Sequence, residues 1–344
     1  MEVISSNLSG AMVPVWQASS YIITSTVAPV PIQPMLNIPA MILLPLIIIF
    51  TFVGNILTIT TVLSWHQLRD SIACWFLVSL ALSDLFLSLL VLPFNAAELM
   101  IGRWPFGNFC KYFIAFDIMI STVSILNLSM IAFDRYLAIA HPFRYQVWMT
   151  RQRCIIAILS AWILSALLAF VPFARQDVFF SVDVCELDLT PIYAIVSSFI
   201  SFFIPSIVMV IAYYRIYVVA REHFQRMQAN VNSRLPGYRR RHKAAITLGI
   251  VTGVFILLWT PFFLVNCIRS FHPDLISNEL FLTVTWLGWI NSGVNPVIYS
   301  TNTEIRAGMK RVLCKGRVGS HNVESTSPVN NWNNRNTDVY DSES

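Results

Sequence analysis

Charge is scarce in this chain. Only 12% of its 344 residues are Asp, Glu, Lys or Arg, against 56% hydrophobic residues and a mean hydropathy of +0.63. A soluble globular domain carries about 25% charged residues, so the composition excludes that class and identifies a membrane protein. Positive charge is also missing locally: residues 1–38 have no Lys or Arg, and residues 1–102 have one, Arg69. No lysine stands between Lys243 and Lys310. The last long apolar runs therefore offer no amine for a Schiff base with a retinal-type chromophore, which argues against a light-sensing pigment. No nucleophile–base pair or metal-ligand cluster falls at a span end, so an enzyme is not expected. A transporter would more often show internal repeats, and none is evident.

What is present is length without charge. Seven apolar runs can each span a bilayer, near 40–64, 74–98, 107–140, 153–173, 192–220, 244–269 and 278–300. The fold expected is an all-α seven-helix membrane bundle. About forty residues rich in Ser, Thr, Pro and Asn precede the first run and no small-residue cleavage site follows, so it is not read as a signal peptide. Lys and Arg gather at Arg144 to Arg153, Arg215 to Lys243 and Arg306 to Arg317. The positive-inside rule then places the amino terminus outside and the carboxyl terminus in the cytoplasm. The net charge of +5 reports this topology and implies no nucleic-acid partner. Three regions follow: an outer tail over 1–38, a membrane region over 39–314, and a cytoplasmic tail over 315–344 whose Ser, Asn and Asp content reads as disordered and open to phosphorylation. Asn7-Leu8-Ser9 is a glycosylation sequon on the outer side. TEIRAGMKRVLC, closing the membrane region, reads as an amphipathic helix on the inner leaflet, with Cys314 a candidate for palmitoylation.

The run CKYFIAFDIMISTVSILNLSMIAFDRYLAIA holds Asp117 and the pair Asp134-Arg135. From Asp117 to Arg135 is five turns and about 27 Å, so the two point the same way from opposite ends of one helix. A charge within a span costs about 2.5–3.5 kcal/mol on insertion scales and so marks a function. Asp117 reads as a ligand anchor and Arg135, held by its neighbouring carboxylate, as a switch. Asp84 needs polar neighbours; Asn55, Ser124, Asn291, Ser292 and Asn295 are the candidates, and their oxygens suit a sodium ion or a water cluster. Ser197, Ser198 and Ser201 cluster outside Pro205, with Ser197 and Ser201 on one helical face and Ser198 turned about 100° away. Pro261 and Pro296 each remove a helix hydrogen bond and supply bends. Cys110 and Cys185 both lie on the outer, oxidising side, where a disulfide is expected.

Gly54-Asn55, LALSD at 80–84, Cys110, Asp134-Arg135-Tyr136, Trp162, Pro205, WTPFF at 259–263 and Asn295-Pro296 through Tyr299 resemble the rhodopsin-like G-protein-coupled receptors. Phe116-Asp117, TVSILNL, the three serines, Asn266 and WLGWINSGVNP resemble the biogenic-amine receptors, above all the dopamine type-1-like group, with beta-adrenergic receptors next. The resemblance implies a ligand site of Asp117, Ser121, Ser197, Ser198, Ser201, Trp259, Phe262, Phe263, Asn266 and Trp289. In it Asp117 pairs with a protonated amine and the serines meet catechol hydroxyls. It implies a switch of Asp134, Arg135, Tyr136, Phe143 and Tyr299 facing a heterotrimeric G protein of the stimulatory class, which activates adenylate cyclase at the plasma membrane. Arrestin, a receptor kinase and membrane lipid are the further partners. No cofactor is expected beyond an allosteric sodium at Asp84, Ser124, Asn291 and Asn295. Octopamine, tyramine, serotonin, noradrenaline and trace amines carry the same ammonium and stand as alternatives. Where the family often has an acid at the start of the sixth helix to hold the arginine, this chain has Arg241. Raised ligand-independent activity follows, and basal cyclic AMP equal to mock-transfected cells would refute it.

Overall fold

The computed structural model describes residues 38–174, 179–180, 185, 187–188, 190–229 and 236–314. Asn7, the first 37 residues and the tail after Cys314 lie outside the described residues, as does the Arg241 side chain. Helices dominate. α1 runs Ile38–Ser64, a short α2 His66–Arg69, α3 Ile72–Leu90, α4 Leu92–Ile101, α5 Cys110–Ala140, α6 Pro142–Trp148 and α7 Arg151–Ala174. After them come α8 Pro191–Ser198, α9 Ile204–Ala229, α10 Pro236–Phe271, α11 Asn278–Tyr299 and α12 Thr303–Cys314. A two-residue antiparallel pair, Phe179–Phe180 with Leu187–Asp188, forms in the loop after α7. Among the described residues six helical stretches are long and apolar enough to cross a membrane: α1, α3 with α4, α5, α7, α8 with α9, and α10. The seventh expected span is present as α11, a 22-residue helix whose Glu279, Asn291, Ser292 and Asn295 dilute its apolar character.

Proline chemistry explains the breaks. Pro93 cannot donate, so the second span divides at Val91 (φ −122°, ψ −63°) and restarts with the proline in the first turn of α4. Pro205 leaves the Ser201 carbonyl without its helical donor, and the turn Phe199–Phe203 widens to a π-helix between α8 and α9. In α11, Pro296 orphans the carbonyl of Ser292. Asn55 of α1 supplies the missing donor, Nδ2 to that oxygen at 3.1 Å, while bonding Thr51 O at 2.9 Å. Gly54 makes the approach feasible, since a Cβ there would come within 2.8 Å of Pro296 Cγ.

The packing is inverted relative to a water-soluble protein. Thr51, Asn55, Asp84, Asn127, Asn291 and Asn295 are buried, whereas Ile42, Leu46, Ile49, Ile156, Leu159 and Ile211 face outward. Such a surface suits hydrocarbon, and a helical backbone bonded internally suits it too. α5 is the central rod, packing against α3, α7, α9 and α10. Its first residue, Cys110, forms the expected disulfide with Cys185, Cα–Cα 5.5 Å, strapping the loop after α7 across one end of the bundle. At the opposite end α12 docks on α1 through Ile305 and Met309, Arg311 lies 5.1 Å over the Trp65 ring, and Cys314 is exposed.

Candidate functional site

Asp117 stands two turns into α5 from the disulfide. Trp289 of α11 donates through Nε1 to its Oδ1 at 2.9 Å, and Ser121, one turn on, donates to the same oxygen at 3.3 Å. Oδ2 has no donor among the described residues, and Asp117 is only half-buried. An ionised carboxylate held by one oxygen and open at the other, beside aromatic rings, is arranged for a small cation. A second set of rings packs together on α10 and the Phe199–Phe203 turn. Trp259 meets Phe262 edge-on at 5.5 Å, Phe262 meets Phe263 at 5.2 Å, and Phe263 stacks on Phe202 at 4.3 Å.

The three serines find different partners. Ser198 is the most buried of the three and accepts from Asn266 Nδ2 of α10 at 3.4 Å, so it faces the neighbouring helix. Ser197 and Ser198 both lie in α8, ahead of the π-turn, and Ser201 lies within it. Ser197 donates to Ala194 O at 3.2 Å and Ser201 to Ser197 O at 2.6 Å, both within their own helical segment. A hydroxyl bonded this way retains lone pairs and can rotate toward a ligand. α5 packs against this π-turn, which brings the serine segment and the Asp117 helix together.

Deeper in the bundle Asn295 donates through Nδ2 to Asp84 Oδ2 at 2.8 Å. Asp84 Oδ1 and the side-chain oxygens of Asn55, Asn291 and Asn295 are buried with no hydrogen-bond partner. An excess of acceptors over donors fits a hard cation or donating waters. Ser124 bonds Ser83 Oγ at 2.9 Å and Ile120 O at 3.1 Å instead of Asp84.

At the far end of α5, Asp134 is fully buried and paired with Arg135, whose Nε lies at 2.8 Å and whose Nη2 also contacts Oδ2. The other oxygen accepts from Tyr145 OH of α6 at 2.9 Å. Burial, and then the Asp134 charge, raise the Tyr145 phenol well above its ordinary value, so it stays a donor. Tyr136 contacts His141, ring centroids 5.7 Å apart. Phe143 is 91% exposed, Tyr299 1%. The sequence reading missed Tyr145, although it sits in the HPFRY run three residues past Pro142 in a short helix that folds back on α5. It also missed Asn95, which accepts from Trp286 Nε1 at 2.8 Å. Trp162 donates to Ser79 Oγ at 3.1 Å.

Residues 54–299 match the family described as 7 transmembrane receptor (rhodopsin family). The D(1C) dopamine receptor of Xenopus laevis is 39% identical over 324 residues, covering 83% of this chain and 70% of that protein. The Dopamine receptor 1 of Drosophila melanogaster is 38% identical over 315 residues, 79% of this chain and 61% of its own length. The D(1B) dopamine receptor of Homo sapiens is 35% identical over 355 residues, 86% and 74% respectively.

Proposed function

Because the chain belongs to the rhodopsin family of seven-transmembrane receptors, and is thus a multi-pass biogenic-amine receptor coupled to a G protein and not an enzyme, we propose that its ligand is a dopamine-like catecholamine. We further propose that it raises cyclic AMP through a stimulatory G protein. The observation that carries this is the Asp117 carboxylate, bonded through Oδ1 by Trp289 and Ser121 and free at Oδ2, with the Trp289 indole against it. The ammonium pairs with Oδ2, at the 2.7–2.9 Å or so typical of charge-assisted bonds. The ring lies toward Phe262 and Phe263, and its hydroxyls reach the Ser197, Ser198 and Ser201 segment. The names of the relatives supply the catecholamine.

In this reading the disulfide end of the bundle is extracellular and the amino terminus is outside, with Asn7 glycosylated. The Asp134-Arg135-Tyr145 cluster then faces the cytoplasm. Ligand contact with α10 and α11 shifts the Trp259 layer. α10 bends at Pro261, its inner half moves, and Arg135 leaves Asp134 for the G protein. Phe143, exposed on α6, is the apolar contact for the same partner. The phosphorylated tail recruits a receptor kinase and arrestin, and palmitate on Cys314 ties α12 to the inner leaflet.

Asp84, with the unpaired oxygens of Asn55, Asn291 and Asn295, would hold a sodium ion in the resting receptor, and such an ion would oppose agonist. Adding sodium chloride in place of a larger monovalent cation should then lower agonist affinity in the native chain and leave Asp84→Asn unaffected; equal sensitivity in both would remove the ion from the scheme. The function itself is tested by cyclic AMP in cells expressing the full chain, exposed to dopamine, octopamine, tyramine, serotonin and noradrenaline. Dopamine should give the lowest half-maximal concentration. A stronger response to any other amine reassigns the ligand, and a fall in cyclic AMP reassigns the G protein.

A further inference from the structure

The bond that fixes Asp117 does not begin at Trp289. Four residues link α4 to the amine anchor. Glu98 accepts from Asn95 Nδ2 at 3.4 Å, Asn95 Oδ1 accepts from Trp286 Nε1 at 2.8 Å, Trp286 meets Trp289 edge-on at 5.3 Å, and Trp289 Nε1 donates to Asp117 Oδ1 at 2.9 Å. We propose that Asn95, oriented by Glu98, is a positioning residue for the ligand: through Trp286 it holds Trp289 against Asp117 Oδ1, and so decides that Oδ2 is the oxygen the ammonium meets.

Donor and acceptor types dictate the direction of this chain. A carboxylate only accepts, so the NH2 of Asn95 turns to Glu98 and its carbonyl is left facing Trp286, whose indole only donates. Asn95, Trp286 and Trp289 are 7%, 8% and 2% exposed, so none of these groups can be satisfied from bulk water. With Asn95 removed, the Trp286 N–H is buried without a partner and the ring has reason to turn. Trp289 then loses the face that backs it and its bond to Oδ1 weakens. Ser121 alone, at 3.3 Å, is the longer of the two bonds holding the carboxylate. Asp117 can then rotate and share both oxygens with water before the ligand arrives. Asn95 never touches the amine in this scheme; it lowers the cost of ordering the anchor.

The inference rests on Asp117 being the amine anchor, and the test separates the two claims. Tritiated dopamine binding is measured on membranes carrying the full chain, with surface receptor counted through an amino-terminal epitope. Asn95→Leu and Trp286→Phe should each weaken the Kd about three- to tenfold, the range for one lost hydrogen bond. The double variant Asn95→Leu with Trp289→Phe should be no weaker than Trp289→Phe alone. Competing phenethylamine should lose affinity by the same factor as dopamine, because the relay acts on the ammonium and not on the ring. Wild-type affinity in Asn95→Leu, full additivity with Trp289→Phe, or a loss confined to dopamine overturns the relay. If Asn95→Leu does not reach the surface, Trp286→Phe, which keeps a ring in place, carries the same comparisons. Retained binding in Asp117→Ala would overturn the anchor itself; lost binding there with an unaffected Trp286→Phe would overturn the relay alone.

Discussion

At the scale of single residues, the two ends of α5 use one carboxylate each in opposite ways. Asp117 keeps Oδ2 open, whereas Asp134 has both oxygens taken, by Arg135 and Tyr145. Asp117→Ala is therefore expected to abolish the amine response in a cyclic AMP assay at normal surface density. Ser197→Ala and Ser201→Ala should raise the half-maximal concentration for dopamine about three- to tenfold, one neutral hydrogen bond each, with little effect on phenethylamine; equal losses for both compounds would dismiss the catechol contact. Tyr145→Phe deletes one bond to a buried charge, an interaction of about 1.5–3 kcal/mol, and should raise ligand-independent cyclic AMP severalfold. The phenol's pKa is shifted upward, so this bond is intact below the ordinary pKa of about 10 and is lost only at higher pH; the variant's excess over the native chain should be flat through the neutral range. Asp117, Asp134 and Arg135 were legible because charge in an apolar run is conspicuous. Tyr145 and Asn95 were not, because a tyrosine in a loop and an asparagine near a helix end are ordinary until the fold sets them against Asp134 and Trp286.

At the scale of elements, two of the proline breaks are absorbed in different ways. Asn55 caps the Ser292 carbonyl that Pro296 leaves open, and the π-turn accommodates Pro205. Between α10 and α11 the contact is tighter still, because a Cβ on Gly288 would lie 2.8–2.9 Å from the Trp259 indole. Gly288→Ala must therefore push Trp259 off its resting seat, and basal cyclic AMP per surface receptor should rise; a basal level unchanged from the native chain would mean the indole can yield without moving α10. The bends at Pro261 and Pro296 could be read from the sequence, since a missing donor is a local property. The π-turn could not, because an extra residue in a turn is chosen by how the helix packs against its neighbours.

At the scale of the molecule, an inverted bundle is held by polar contacts inside and one covalent strap at its mouth. Cys110→Ser removes that strap, and with it about 2–4 kcal/mol of loop closure; specific amine binding should fall sharply, and a reducing agent applied to native membranes should mimic it, whereas binding indifferent to both would make the strap dispensable. Composition alone determined that this chain lives in a bilayer, how many times it crosses, and which end carries the positive loops, because the cost of placing charge and unpaired backbone in hydrocarbon is paid residue by residue. Which polar groups meet was decided only by tertiary structure. Asn95 and Trp286 are 191 positions apart, and Asp84 and Asn295 are 211 apart. A hydrogen bond needs its two atoms within about 3 Å, and only the packing of whole helices brings residues that distant to such a separation.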